Sequence, residues 1–149
     1  MTSCRIVLDT NVLVAATRNR LGPSFALVQS VRQGVFCMCC TPALFLEYED
    51  VLKRPEQLAA SGLTRTDVDA ILNDLAGQID AVHTHYQWRP QLRDPADEMV
   101  LEAAANGAAP WIVTYNLKDF APAHRFGIEV LTPQNVLKRF GLAHPRSPS

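Results

Sequence analysis

An aspartate, Asp9, sits within the apolar run "RIVLDTNVLV" at residues 5–14. Ile6, Val7 and Leu8 precede it, and Val12, Leu13 and Val14 follow. An unpartnered buried carboxylate costs several kcal/mol, so its partners are the first question. Three other segments supply candidates. In "DPADEMVLEAAANG", helical spacing puts Asp97 on the arc of Val100, Leu101 and Ala104. Glu98, Glu102 and Asn106 gather on the other side, which reads as the solvent face. Asp94, Pro95 and Asp97 also make an acidic first turn that capping alone would explain. Glu47, in "TPALFLEYEDVLKR", borders its helix's apolar arc and is as readily a half-exposed surface glutamate. Finally, "VTYNLKDF" at residues 113–120 leaves a strand with Thr114, Asn116 and Asp119, the last two equally at home in a turn. Acids gathered in one place repel one another and need a proton, a basic side chain or a cation. Oxygen-only ligands suit Mg²⁺ or Mn²⁺.

These segments must be brought together by the elements that carry them. Residues 5–9, 35–40, 111–114 and 128–131 read as strands, with a short strand near 81–84. Helices are expected over 23–33, from Pro42 after the cap Thr41, over 64–81 after "TRTD", from Asp94 to Gly107, and over "TPQNVLKRF". Alternating strands and helices predict an α/β fold, a three-layer sandwich with a mostly parallel sheet flanked by helices. In such sheets ligands bind beyond the carboxyl ends of the strands, where Asp9 and Thr114 would lie. One domain over residues 1–141 is expected, with a flexible tail at 142–149.

Composition narrows the class. The 149 residues are 48% hydrophobic and 19% charged, with net charge −1, so no broad basic surface advertises a polyanion. A local site would have to hold one. No apolar run is long enough for a membrane span, and the passage from "MTSCR" into a strand shows no secretion signal. A cytoplasmic protein is expected. Cys37, Cys39 and Cys40 in "FCMCC", like Cys4, read as reduced core residues; His83 and His85 share a strand face, but nothing couples them to the cysteines as a zinc site.

Together, "VLDTNVLVAA", the glutamate in "TPALFLEYEDVL", "RDPADEMVLEAAANGA" and "WIVTYNLKDF" resemble the PIN-domain family of metal-dependent ribonucleases. The resemblance covers roughly residues 5 to 140. The "LDTNVLV" opening and the "DPxD" form are most similar to VapC-like toxins of bacterial toxin–antitoxin pairs. The resemblance implies that Asp9, Glu47 and Asp97 form the acidic triad, holding Mg²⁺ or Mn²⁺ directly or through water. It further implies that Thr10, Asn11 and Thr114 orient the acids. Asn116 stands where many relatives carry aspartate, and Asp119 remains nearby as a fourth acid. A homodimer and an antitoxin partner are likewise implied.

The function expected is hydrolysis of RNA phosphodiesters as the toxin of a type II pair, with Asp9, Glu47, Asp97 and Asp119 catalytic and Asp94 supporting. Arg18, Arg20 and Lys118 are the cations available to guide an RNA backbone. Two other classes remain open. One is a metal-dependent phosphohydrolase of similar architecture, although Asn11 stands where a haloacid-dehalogenase-like enzyme would need a second aspartate. The other is a PIN-like module that binds a partner with little or no activity.

Overall fold

The computed structural model describes residues 4–84 and 91–141. The tail at 142–149 and His85 lie outside the described residues. The first strand, β1 (Cys4–Leu8), leads into α1 (Thr10–Arg18) and α2 (Pro23–Arg32). β2 (Phe36–Cys40) is followed by α3 (Pro42–Leu52), α4 (Pro55–Ser61) and α5 (Arg65–Ala76). Then come β3 (Ile79–Ala81), α6 (Pro95–Asn106), β4 (Trp111–Val113), a 3₁₀ segment (Leu117–Phe126), β5 (Glu129–Leu131) and α7 (Pro133–Arg139).

The five strands form one parallel sheet in the order β3-β2-β1-β4-β5. The chain lays down β2 and β3 on one side of β1, then returns to place β4 and β5 on the other. The side on which strands are added therefore reverses between β1 and β4. Ile6, Val7 and Leu8 are all fully buried although alternate residues face opposite sides, so both faces of the sheet are covered. α6 lies against β1, β2 and β4, and α2 packs on β2 and α7. The buried hydrophobic residues form one connected core. Among the described residues no helix is long and apolar enough to cross a membrane.

Local chemistry places several helix starts as expected. The Thr41 hydroxyl accepts from the Leu44 amide at 3.2 Å and the Asp94 carboxylate from the Ala96 amide at 2.9 Å. Thr64 and Asp67 form a reciprocal capping box. Three features depart from expectation. Val12–Val14 belong to a helix, α1, with Val12 and Leu13 buried. The helix expected through residue 81 ends at Ala76, and the short strand begins earlier, because Ile79 pairs beside Met38 of β2. The segment after β4 is wound into 3₁₀ turns.

Cys39 and Cys40 are buried, and Cys4 and Cys37 half-buried, all as free thiols. Burial pushes the Cys39 and Cys40 thiols up to about 12, so both stay neutral in the core.

Candidate functional site

The reversal point between β1 and β4 gathers the first polar groups. Leu8 pairs beside Val113, and the Asp9 amide continues the ladder by donating to the Val113 carbonyl at 2.9 Å. Asp9 and Thr114 thus emerge together from the carboxyl ends of neighbouring strands. Asp9 occupies the N-cap position of α1, yet its side chain makes no capping hydrogen bond. Its Oδ2 instead accepts from the Thr114 hydroxyl at 2.7 Å. Asp9 is 7% exposed, and Thr114 is fully buried.

Thr114 is completely engaged. Its oxygen also accepts from the Asn116 amide at 3.0 Å and the Asn11 side-chain amide at 3.4 Å. One donor and two lone pairs are therefore all used, which fixes the hydroxyl on Asp9. Burial pushes the Asp9 carboxyl up; the Thr114 hydroxyl and the Thr10 and Asn11 amides pull it back, and the charge of Asp94 raises it again. The balance remains above an ordinary aspartate.

Beneath this corner lies Tyr48, fully buried, whose hydroxyl donates to the Leu8 carbonyl at 2.5 Å. Its place on the apolar arc of α3 was legible, but its hold on the residue before Asp9 was not. Tyr48→Phe removes that donor without opening a cavity. It is expected to destabilise the fold by about 1–3 kcal/mol, read from the urea midpoint at unchanged slope.

Asp97 is half-buried at the start of α6. Its carboxyl is pushed up to about 6, first by burial and then by the charges of Asp9, Asp94 and Asp119. Four acids from three parts of the chain therefore act on one another. Asp94, Asp97 and Asp119 line a cleft of about 460 Å³ together with Gln91, Arg93 and Lys118. Arg93 and Lys118 are exposed, and neither forms an ion pair among the described residues. Each stands immediately before a cleft acid. Nothing in the sequence pattern had singled out Arg93.

Other expected positions do not line the cleft. Glu47 is half-buried on α3 and is not among the acids acting on Asp97, nor does it line the cleft. Arg18 donates to the Gln57 side-chain oxygen at 3.0 and 2.6 Å, and Arg20 borders an apolar groove with Leu13 and Phe25. Neither lines the acidic cleft, because α1 carries both away from Asp9 as soon as the strand ends. Thr10 is half-buried in the first turn of α1, and Asn116 is exposed before the 3₁₀ segment.

Glu98 corrects the helical reading. Assigned to the solvent face, it is 9% exposed and accepts from the Gln91 and Leu92 amides at 3.1 and 2.8 Å. The preceding segment folds over that flank of α6 and covers it. Glu98 thereby anchors the strand of cleft wall that carries Arg93.

The donor set is made of oxygens, and the acids raise one another's affinity for a positive charge. The buried Oδ1 of Asn11 has no hydrogen-bond partner among the described residues, although its amide nitrogen reaches Thr114. Both features fit a hard divalent cation. Among the described residues, however, no three His, Cys, Asp or Glu side chains converge tightly enough to chelate an ion by themselves. The cluster is open, and water or phosphate oxygens would have to complete the shell, as is usual for small hard cations.

A family model described as "PIN domain" matches residues 5–118, well over half of the chain. No curated protein matches it, and no solved structure does.

Proposed function

The chain belongs to the PIN-domain family, whose members are generally nucleases, and from that premise we propose that it is a metal-dependent endoribonuclease. The observation that carries this reading is the gathering of Asp94, Asp97 and Asp119 on one cleft, with Asp9 close enough to add its charge to theirs on Asp97. A site that stores negative charge in a half-buried cleft is suited to a cation and, through it, to a phosphate. Asp9 and Asp97 would hold Mg²⁺ or Mn²⁺, with Asp94 and Asp119 at the rim and Glu47 acting through water. When bound, the ion supplies Lewis acidity, acidifying water and offsetting charge that builds on phosphate oxygens.

The chain's own groups do the positioning. Thr114 fixes one oxygen of Asp9 by its 2.7 Å bond, leaving the other unconstrained by that bond. Arg93, from the segment before α6, and Lys118, from the 3₁₀ segment, both line the cleft and would hold backbone phosphates there. Water attacks phosphorus in line with the departing 3′ oxygen; the P–O3′ bond breaks, and the products carry a 5′-phosphate and a 3′-hydroxyl.

We further read the chain as the toxin of a type II toxin–antitoxin pair, acting as a homodimer and silenced by a cognate antitoxin. The "LDTNVLV" and "DPxD" motifs support that assignment. Purified protein incubated with structured and unstructured RNAs is expected to cut them with Mg²⁺ or Mn²⁺ and to stop in EDTA. Cleavage persisting in EDTA would remove the metal site. Phosphate release from small esters without RNA scission would favour a phosphohydrolase. Inactivity under every condition, with a tight protein partner, would favour a binding module.

A further inference from the structure

Tyr115 follows Thr114 directly and is 43% exposed. A surface tyrosine ordinarily shows its hydroxyl to water and tucks its ring inward. Here the arrangement is reversed. The hydroxyl lies 2.5 Å from the Ser24 hydroxyl, and Ser24 is 2% exposed in the first turn of α2. The polar end of the side chain is therefore held on a buried hydroxyl, while the residue as a whole stays exposed. A ring held at one end has lost much of its rotational freedom, so a flat ligand meets a surface that is already oriented.

Tyr115 borders a recess of about 410 Å³ shared with Asn116, Leu117, Lys118 and Asp119. Lys118 and Asp119 line this recess and the acidic cleft alike, so the two meet at these residues. A cation with no ion pair among the described residues thus lies between an exposed tyrosine and an acidic centre, with the exposed Asn116 beside them. Aromatic faces that alternate with cations along a groove are what a single-stranded nucleic acid uses, bases on the rings and phosphates on the charges. Asn116 carries both a donor and an acceptor, which suits the polar edge of a base.

We propose that Tyr115 is a stacking platform for one unpaired nucleobase of single-stranded RNA, with Lys118 holding the phosphate that links that nucleotide to the one in the acidic cleft. This rests on reading the cleft as a nuclease centre. The platform takes an unpaired base only, since a base within a duplex has both faces covered by its neighbours and cannot lie on the ring.

The test compares a fluorescein-labelled oligoadenylate octamer with an octamer of abasic ribose phosphates. Binding is read by fluorescence anisotropy, with Ca²⁺ replacing Mg²⁺ and strand integrity verified on a gel. Wild-type protein is expected to bind the oligoadenylate roughly 5- to 150-fold more tightly, the range for one stacked base. Tyr115→Phe keeps most of that preference. Tyr115→Leu, which retains apolar bulk but no aromatic face, abolishes it, while thermal melts verify that the fold survives. Equal binding of the two octamers by wild type, no binding of either, or a preference surviving Tyr115→Leu overturns the platform. Cleavage measured in parallel with Mg²⁺ separates the two claims. A protein that cuts RNA without base preference loses the platform alone; one that prefers bases through Tyr115 but never cuts keeps the platform and loses the nuclease reading.

Discussion

Asp9→Asn is expected to lower RNA cleavage by at least about 10²- to 10³-fold, the loss typical of removing one preorganised electrostatic group. The same substitution is expected to leave the melting temperature unchanged or higher. The two effects have one cause. Burial holds the Asp9 carboxyl above its ordinary range, so its surroundings disfavour the charged form. Asparagine keeps the shape and still offers an oxygen to the Thr114 hydroxyl, but it removes the charge. A residue kept for packing would show the opposite pattern, with stability lost and activity little changed. Cleavage kinetics beside circular-dichroism melts distinguish the cases, and wild-type cleavage by the variant would place the chemistry elsewhere.

Divalent-ion binding is expected to weaken steeply in acid. The Asp97 carboxyl titrates at about 6 in the folded chain against 3.8 for an ordinary aspartate. Folding therefore favours its protonated form. That stabilising contribution is fully present below about pH 4 and disappears as pH rises through about 6, so without an ion Asp97 destabilises the fold at neutral pH. A cation bound to the carboxylate reverses the sign, because it competes with the proton for the same oxygens. The Mg²⁺ concentration giving half-maximal thermal stabilisation should then rise by about tenfold per pH unit below about pH 6. Thermal melts over a Mg²⁺ series at several pH values measure this directly. Asp97→Asn should remove this group's share of the dependence. An ion response independent of pH in the wild-type chain would show that Asp97 does not face the cation.

Much of the fold is local and was readable as such. "RIVL", "FCMCC" and "WIVT" are short apolar runs, and each is a strand of the sheet. Thr41-Pro42, Asp94-Pro95 and Thr132-Pro133 start helices because a capping oxygen followed by proline suits only that position. α1 was hidden for a related reason: its apolar residues continue the composition of the strand before it, and its N-cap residue is Asp9, whose carboxylate accepts from the Thr114 hydroxyl. Strand-end geometry also made Asp9 and Thr114 plausible neighbours before any coordinates, since parallel strands gather their carboxyl ends at one edge.

Other features had no local signature. Glu98 belongs by helical phase to the wet side of α6, and only the passage of residues 91–92 over it turns it into a buried anchor. Tyr48 reads as one more apolar residue until its hydroxyl is found on the Leu8 carbonyl. Arg18 and Arg20 look close to Asp9 along the chain, yet α1 points them toward Gln57 and an apolar groove. By itself the sequence determined the kinds of elements, their parallel arrangement and which acids stand near strand and helix ends, because caps, periodicity and apolar runs act over a few residues. The tertiary structure alone decided that Asp9 and Asp119 act on Asp97 and that Arg93 and Lys118 line one cleft with it, because electrostatic coupling follows distance through space, which the packing of the sheet edge sets.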